Sequence, residues 1–148
     1  MLSMIAGGVF ERFPRLRVAY MEAGSGWLPF WLWRIHEHIE LSGWKEAPEC
    51  SKTPLEYFNR NCWVTTEPDE RIVYHVIEEI GDDHILFETD YPHPDSKYPK
   101  AVETFLANDR LSDESKRKIL WDNSIDFYRF PAEMLPEKFE EVTTGKGK

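Results

Sequence analysis

The sequence is poor in cysteine and in basic residues, and each shortage removes a class of protein. Cys50 and Cys62 are the only cysteines, too few for a disulfide framework and without metal-ligand spacing. Lys and Arg number 18 against 27 Asp and Glu, which gives a formal charge of -9. Nucleic acid and anionic membranes both bind basic surfaces. We therefore expect neither of them among the main partners.

Long apolar runs are also missing. No run approaches the roughly 20 residues that span a bilayer, and residues 1–6 lack the basic region and full apolar core of a secretory signal. Together with the low cysteine content, this predicts a cytoplasmic protein. The 148 residues, 41% hydrophobic and 14% aromatic, are enough for one core but not clearly for two.

What the sequence does contain is an alternation of short strands and amphipathic helices. Strands are predicted over 16–22, over 62–66 and from Ile85 towards Asp90. The pattern decays after Pro131, which predicts a folded part over 1–130 and a polar tail over 131–148. Helices are predicted over 5–13, over 27–41 with Gly43 near the end, over 53–58, over 68–80 with Gly81 as the stop, over 101–107 and over 112–128.

Strands that alternate with helices predict a parallel sheet, which must be buried on both faces. Three parallel strands leave two open edges, and an open edge is a template for pairing with another segment. We therefore expect either further chain or another subunit to cover them.

Asp90 is the leading candidate for a functional residue. It follows the third predicted strand, and ligands collect at the carboxyl ends of parallel strands because the loops there vary while the strands stay rigid. The alternative is that Asp90 only begins the turn before Tyr91 and Pro92, which is a frequent use of aspartate.

Four segments resemble one known family. They are GVFERFPRLRV at 8–18, MEAG with WLP at 21–29, FETDYPH at 87–93 and ILWDNS at 119–124. In this order and spacing the chain resembles the amidohydrolase-related family over residues 4–130. That family is the metal-dependent group that contains aminocarboxymuconate-semialdehyde decarboxylase and related hydrolases and decarboxylases.

The resemblance implies an α/β fold, a (β/α)₈ barrel of which this chain would supply the last three βα units. It also implies a divalent metal, most often zinc, and a small-molecule substrate that is hydrolysed or decarboxylated. Asp90 matches the family's last-strand Asp, which ligates the metal and works with the nucleophilic water. The His-x-His pair and the further His of earlier strands have no counterpart here, and we expect them in segments that would precede Met1.

Three further residues are candidates near the predicted barrel mouth. Glu22 stands where many relatives carry a His near the substrate; it is expected to position substrate or to pair with Arg34. Trp27 is a candidate wall of a substrate pocket, whereas Trp31 and Trp33 are expected to pack the helix against the core. His93 would orient Asp90, contact substrate, or make only a local turn contact.

The His36 and His38 pair is not a substitute for the missing ligands. Residues two apart on a helix point about 200° away from each other, so they cannot close on one ion. Only Asp90 is therefore placed as a metal ligand, and the chain by itself is expected to hold no tight zinc and to be inactive. The alternative function is that of a non-catalytic partial barrel that acts through association.

Overall fold

A three-stranded parallel sheet forms the centre of the computed structural model, which describes residues 1–135. The strands are β1 (Val18–Tyr20), β2 (Cys62–Thr66) and β3 (Ile85–Phe87), in the spatial order β1-β2-β3. The register places Val18 opposite Cys62 and Val64 opposite Ile85. The parallel arrangement of the three predicted strands is confirmed.

Eight α-helices are present in the described residues. A π-helical turn (Lys118–Asp122) joins the seventh to the eighth, and a 3₁₀ turn follows at Ala132–Met134. None of the helices within residues 1–135 has the length and apolar character that a membrane span requires. The helices are α1 (Leu2–Ile5), α2 (Val9–Arg12), α3 (Leu28–Glu46), α4 (Pro54–Asn61), α5 (Val73–Ile80), α6 (Ala101–Leu106), α7 (Asp113–Arg117) and α8 (Asn123–Tyr128).

Three of the predicted helix bounds were wrong. The helix expected over 68–80 begins only at Val73, because residues 68–69 and 71–72 form turns. The helix expected over 5–13 is broken into α1 and α2, because Gly8 takes the left-handed conformation at φ 66°. Gly43 does not end α3; it lies buried inside the helix, and its carbonyl accepts the hydrogen bond of the Ala47 cap. Residues 136–148 of the predicted tail lie outside the described residues.

β1 begins later than predicted because the side chain of Asn61 hydrogen-bonds to backbone carbonyls of the residues before the strand. The Nδ2 of Asn61 donates to the carbonyl of Pro14 at 3.1 Å and to that of Leu16 at 2.7 Å. Asn61 is fully buried, so these carbonyls are satisfied without a neighbouring strand. The chain therefore enters the sheet only at Val18.

The two faces of the sheet have different neighbours. Side chains alternate along a strand, so Val64 and Ile85 join the core formed with the helices. Trp63 and Leu86 lie on the opposite face and are also buried. The Arg17 guanidinium lies 4.4 Å from the centre of the Trp63 ring. The sheet is thus covered on both faces, as parallel sheets require.

One prediction about the aromatic residues of α3 was wrong in part. Trp31 packs against the core as expected, but Trp33 is 56% exposed. Residues two positions apart on a helix point about 200° away from each other. The helix orientation that directs Trp31 towards the core therefore directs Trp33 towards solvent.

Asn123 attaches the C-terminal helices to β3. Its Nδ2 donates to the carbonyl of Asp82 at 2.6 Å and to that of Ile85 at 2.7 Å. The Asn123 side chain is buried, so no water replaces it when it is removed.

We expect Asn123→Ala to lower the free energy of unfolding by about 2–3 kcal/mol, because two carbonyls lose their donor in a buried place. Urea denaturation measures the change. Ser124→Ala, at the next position of the same helix, should change it by less than about 0.5 kcal/mol. Equal effects of the two substitutions would contradict this role of Asn123.

Candidate metal centre

Three side chains of metal-ligand type meet at the carboxyl end of the sheet. Glu22 follows β1, Asp90 follows β3 and His93 lies in the next turn. One ligand atom from each lies within 4.8 Å of the other two. Because the strands are parallel, their carboxyl ends open on the same edge, where ligands bind in α/β proteins. The structure thus brings together three of the residues that the sequence singled out.

The two carboxylates of this group share an unusual backbone conformation. Glu22 has φ 56° and Asp90 has φ 54°, a region that costs a residue with a Cβ on the order of 1 kcal/mol or more. Such conformations persist where neighbouring contacts enforce them, and they concentrate at functional sites. The positions of Glu22 and Asp90 therefore mark this edge independently of their charge.

His93 is oriented by Asp90. The imidazole Nδ1 lies 2.8 Å from Oδ2 of Asp90, and it donates because an ionised carboxylate only accepts. In neutral His93 the lone pair then lies on Nε2, which is the arrangement of a metal-ligating histidine. The side chain of His93 is 59% exposed and that of Asp90 is 26% exposed, so both are accessible from solvent.

Glu88 supports the group from below, and sequence reasoning missed it. Its Oε2 accepts a hydrogen bond from the Glu22 amide at 2.9 Å. Only 8% of the surface of Glu88 is exposed. Its Oε1 is buried and has no hydrogen-bond partner within residues 1–135. The available signal was its spacing, because residues two apart along an extended segment share a face, which places Glu88 with Asp90.

The electrostatics of this edge favour a cation. Burial raises the pKa of Glu67, and the neighbouring carboxylates of Glu70 and Glu88 raise it further. An unpartnered buried carboxylate oxygen is costly unless a cation or donor approaches it. Carboxylate oxygens with one imidazole suit a divalent ion such as Mn²⁺ or Zn²⁺. The residues present therefore fit a divalent metal.

Glu70 holds the glycine-rich turn after β1, a second role that the sequence did not reveal. It accepts hydrogen bonds from the amides of Ser25 at 2.8 Å and Gly26 at 2.7 Å, and from Oγ1 of Thr66 at 2.7 Å. A Cβ at Gly26 would lie 2.5 Å from Cγ2 of Ile72, so a larger residue there would have to displace the Ile72 side chain. The turn that leads from Glu22 into α3 is thereby tied to β2.

Trp27 and Arg34 do not join the group. The indole Nε1 of Trp27 donates to the Gly24 carbonyl at 2.8 Å, and its ring meets Tyr20 edge-on with centroids 6.3 Å apart. The role of Trp27 as a pocket wall stays a prediction. Within the described part of the chain Arg34 forms no ion pair with Glu22. Of the two roles expected for Glu22, pairing with Arg34 is therefore not found.

The two histidines of α3 are separate, as the helical interpretation requires. Nε2 of His36 lies 3.3 Å from Glu40, and Nε2 of His38 lies 2.5 Å from Glu46. Each histidine pairs with its own acid, and neither takes part in the group at the sheet edge.

Fold and site together define an α/β protein with a candidate metal centre at the carboxyl edge of a parallel sheet. The family model described as amidohydrolase matches residues 1–130, and the chain belongs to the amidohydrolase family. It is 31% identical over 131 residues to a gamma-resorcylate decarboxylase of a Polaromonas species, covering 86% of this chain and 39% of that one. It is also 31% identical to the 2-amino-3-carboxymuconate-6-semialdehyde decarboxylase of Dictyostelium discoideum, covering 84% and 34%.

Solved structures agree with this assignment. The 5-carboxyvanillate decarboxylase of Sphingomonas paucimobilis is similar with a TM-score of 0.71 at 28% identity, covering 88% of this chain and 38% of that one. A dihydroxybenzoic acid decarboxylase of a Polaromonas species, with bound manganese and the inhibitor 2-nitroresorcinol, gives a TM-score of 0.70 at 28% identity, covering 86% and 38%. The resemblance inferred from the sequence is confirmed, and the chain spans about two fifths of the length of these relatives.

We expect Glu70→Gln to loosen the turn of residues 24–26, because an amide nitrogen would then face donors that now bind carboxylate oxygens. Hydrogen exchange of the Ser25 and Gly26 amides, followed by NMR, should accelerate about tenfold or more, since bonds to charged groups contribute about 1.5–3 kcal/mol. Glu79→Gln, on the exposed surface of α5, is the control. Unchanged exchange in Glu70→Gln would remove this role.

Proposed function

We propose that this chain forms part of a metal-dependent decarboxylase that removes CO₂ from a phenolic carboxylic acid. The observation that carries the proposal is the meeting of Glu22, Asp90 and His93 at the carboxyl edge of the sheet. Active sites of barrels built from βα units lie at that edge. The similar curated proteins are decarboxylases, which favours loss of CO₂ over hydrolysis.

We further propose that the chain supplies the last three βα units of a (β/α)₈ barrel. Three strands cannot close a barrel, and within residues 1–135 both β1 and β3 pair only with β2. The face that carries Trp63 and Leu86 would be the barrel interior. In support, that face lies opposite the one that packs against the helices, as the inner face of a barrel strand does.

The cation would be held by the carboxylates of Glu22 and Asp90 and by Nε2 of His93, with further ligands from the remaining units. When bound, a divalent ion polarises substrate oxygen atoms and stabilises the negative charge that develops on them. Manganese is the first ion to test, since a neighbouring structure contains it, and zinc is the second. The free Cys50 and Cys62 favour a cytoplasmic setting for this reaction.

Asp90 and His93 are the residues we propose for proton transfer. In decarboxylation of an aromatic acid, the bond between the ring and the carboxylate breaks, CO₂ leaves, and the ring carbon gains a proton. A proton carrier must therefore lie beside the ring. The Asp90 carboxylate accepts a hydrogen bond from Nδ1 of His93 at 2.8 Å, so the proton on that nitrogen lies between the two side chains and can move to Asp90 while Nε2 faces the cation.

Hydrolysis of an amide, ester or lactone is the second candidate. Asp90 would then accept the proton of the attacking water. The observation that favours it is the match of residues 1–130 to the family model described as amidohydrolase.

Metal binding by the chain alone tests the site before any reaction. We expect Mn²⁺ or Zn²⁺ to bind weakly and to be lost on gel filtration, because two of the three ligands are exposed and a catalytic site normally has three protein ligands on a rigid frame. Equilibrium dialysis with metal analysis should show that Asp90→Asn abolishes this binding, while Asp95→Asn in the same loop does not. Binding that survives Asp90→Asn would place the ion elsewhere.

Activity requires the complete barrel, so the test is a chimera. The N-terminal units of the Polaromonas gamma-resorcylate decarboxylase are joined to this chain, and loss of 2,6-dihydroxybenzoate is followed by absorbance with Mn²⁺ present. Asp90→Asn should lower turnover by a factor on the order of 10² to 10⁴, the usual weight of a general acid or base. Glu22→Gln should cost less, and Asp95→Asn should cost nothing.

A folded, metal-loaded chimera that turns over normally with Asp90→Asn would remove Asp90 from the mechanism. A greater loss in Glu22→Gln would make Glu22 the main proton carrier. If the chimera hydrolyses esters or lactones and leaves hydroxybenzoates unchanged, the second candidate replaces the first.

A further inference from the structure

A polar cavity lies between the second and third βα units. It has a volume of about 420 Å³. One wall is formed by residues 68–71, which join β2 to α5, and the other by Thr104 of α6 with residues 107–110 that follow this helix. Cavities that bind small molecules have volumes of about 300–1,000 Å³. This cavity is therefore large enough for a small-molecule ligand.

Both walls of the cavity come from this chain alone. β2 and β3 are neighbouring strands of the sheet, and the helices that follow them are α5 and α6. In a barrel each βα unit packs against the units beside it, so further units would join the free edges of β1 and β3. They would not form a wall between the second and third units. The cavity thus does not depend on the open edges of the sheet.

The walls carry several hydrogen-bond donors without an acceptor. Neither Arg71 nor Arg110 is among the arginines that form ion pairs within residues 1–135. Oδ1 of Asn108 accepts a hydrogen bond from the Arg110 amide at 3.1 Å, which leaves Nδ2 of Asn108 to donate elsewhere. The Thr104 hydroxyl likewise has no acceptor in the described part of the chain. These donors call for a ligand that supplies acceptor oxygens.

The guanidinium of Arg110 is held by an aromatic ring. It lies over the ring of Tyr74 in α5, 4.3 Å from the ring centre. A guanidinium that stacks on a ring uses its flat face, whereas its N–H groups lie in the plane of the guanidinium. The stacking therefore orients Arg110 and leaves its donors for a ligand.

The acids of the cavity already have partners, with one exception. The carboxylate of Asp69 pairs with Lys97 at 3.0 Å, and that of Glu70 holds the turn of residues 24–26. The two arginines are then opposed by Asp109 alone, which leaves one positive charge in excess. Excess positive charge in a cavity favours an anionic ligand.

We propose that this cavity binds a small anion, a molecule with a carboxylate or a phosphate group, between Arg71 and Arg110. A guanidinium binds either group through two parallel hydrogen bonds, and the two arginines lie on opposite walls. The site is separate from the candidate metal centre, because Glu22, Asp90 and His93 do not line it. It gives the chain a binding function that does not depend on the proposed decarboxylation.

Titration with inorganic phosphate and with malonate, without added metal, tests the site. NMR spectra of the ¹⁵N-labelled chain at constant ionic strength should show saturable shifts of the Asn108 side-chain amide and the Arg110 backbone amide. We expect a dissociation constant on the order of 1 mM or lower. Tighter binding of phosphate would assign a phosphorylated ligand, and tighter binding of malonate would assign a dicarboxylate.

Substitution of each arginine separates this site from general charge attraction. Arg71→Gln and Arg110→Gln should each weaken binding of the tighter anion at least tenfold. Arg129→Gln, which removes one positive charge from an exposed position outside the cavity, should leave binding unchanged. Circular dichroism checks that the variants fold, and Arg71→Gln decides alone if loss of the Tyr74 contact unfolds Arg110→Gln.

Three results would overturn the proposal. They are the absence of a saturable shift with either anion, equal weakening in the two cavity variants and in Arg129→Gln, and shifts that centre on His93 instead of Asn108.

Discussion

One hydrogen bond across the end of the sheet supports the candidate centre. Glu88, just after β3, accepts from the amide of Glu22, just after β1, at 2.9 Å. β2 lies between these strands, and its Thr65 hydroxyl oxygen is 3.2 Å from the same amide. Glu22 is thereby held in the left-handed conformation that brings its carboxylate near Asp90 and His93. The ligand positions thus depend on the parallel order of the three strands.

The sequence predicted the parts of the molecule that local patterns determine. β2 has the predicted bounds, and α4 begins at Pro54, with the Thr53 and Glu56 side chains forming a capping box. Asp90 and His93 were found because they are close together after an apolar strand. Their side chains need only one turn to meet, so the local sequence carries the information.

The supporting carboxylates were missed because their partners are distant in sequence. The bond from Glu22 to Glu88 joins residues 66 positions apart, and that from Ser25 to Glu70 joins residues 45 apart. Glu70 fell inside the helix predicted over 68–80, whereas the structure begins α5 at Val73. Periodicity likewise gave α3 but not the exposure of Trp33, because it does not show which face the rest of the chain covers.

The most direct test of the account is to locate the ion itself. A crystal of the chain grown with Mn²⁺, measured near the manganese absorption edge, would show the ion as an anomalous difference peak. The account predicts a peak in contact with the carboxylates of Glu22 and Asp90 and with His93. A peak among other acids, such as Asp82 and Asp83 at the amino end of β3, with none between those three side chains, would contradict it.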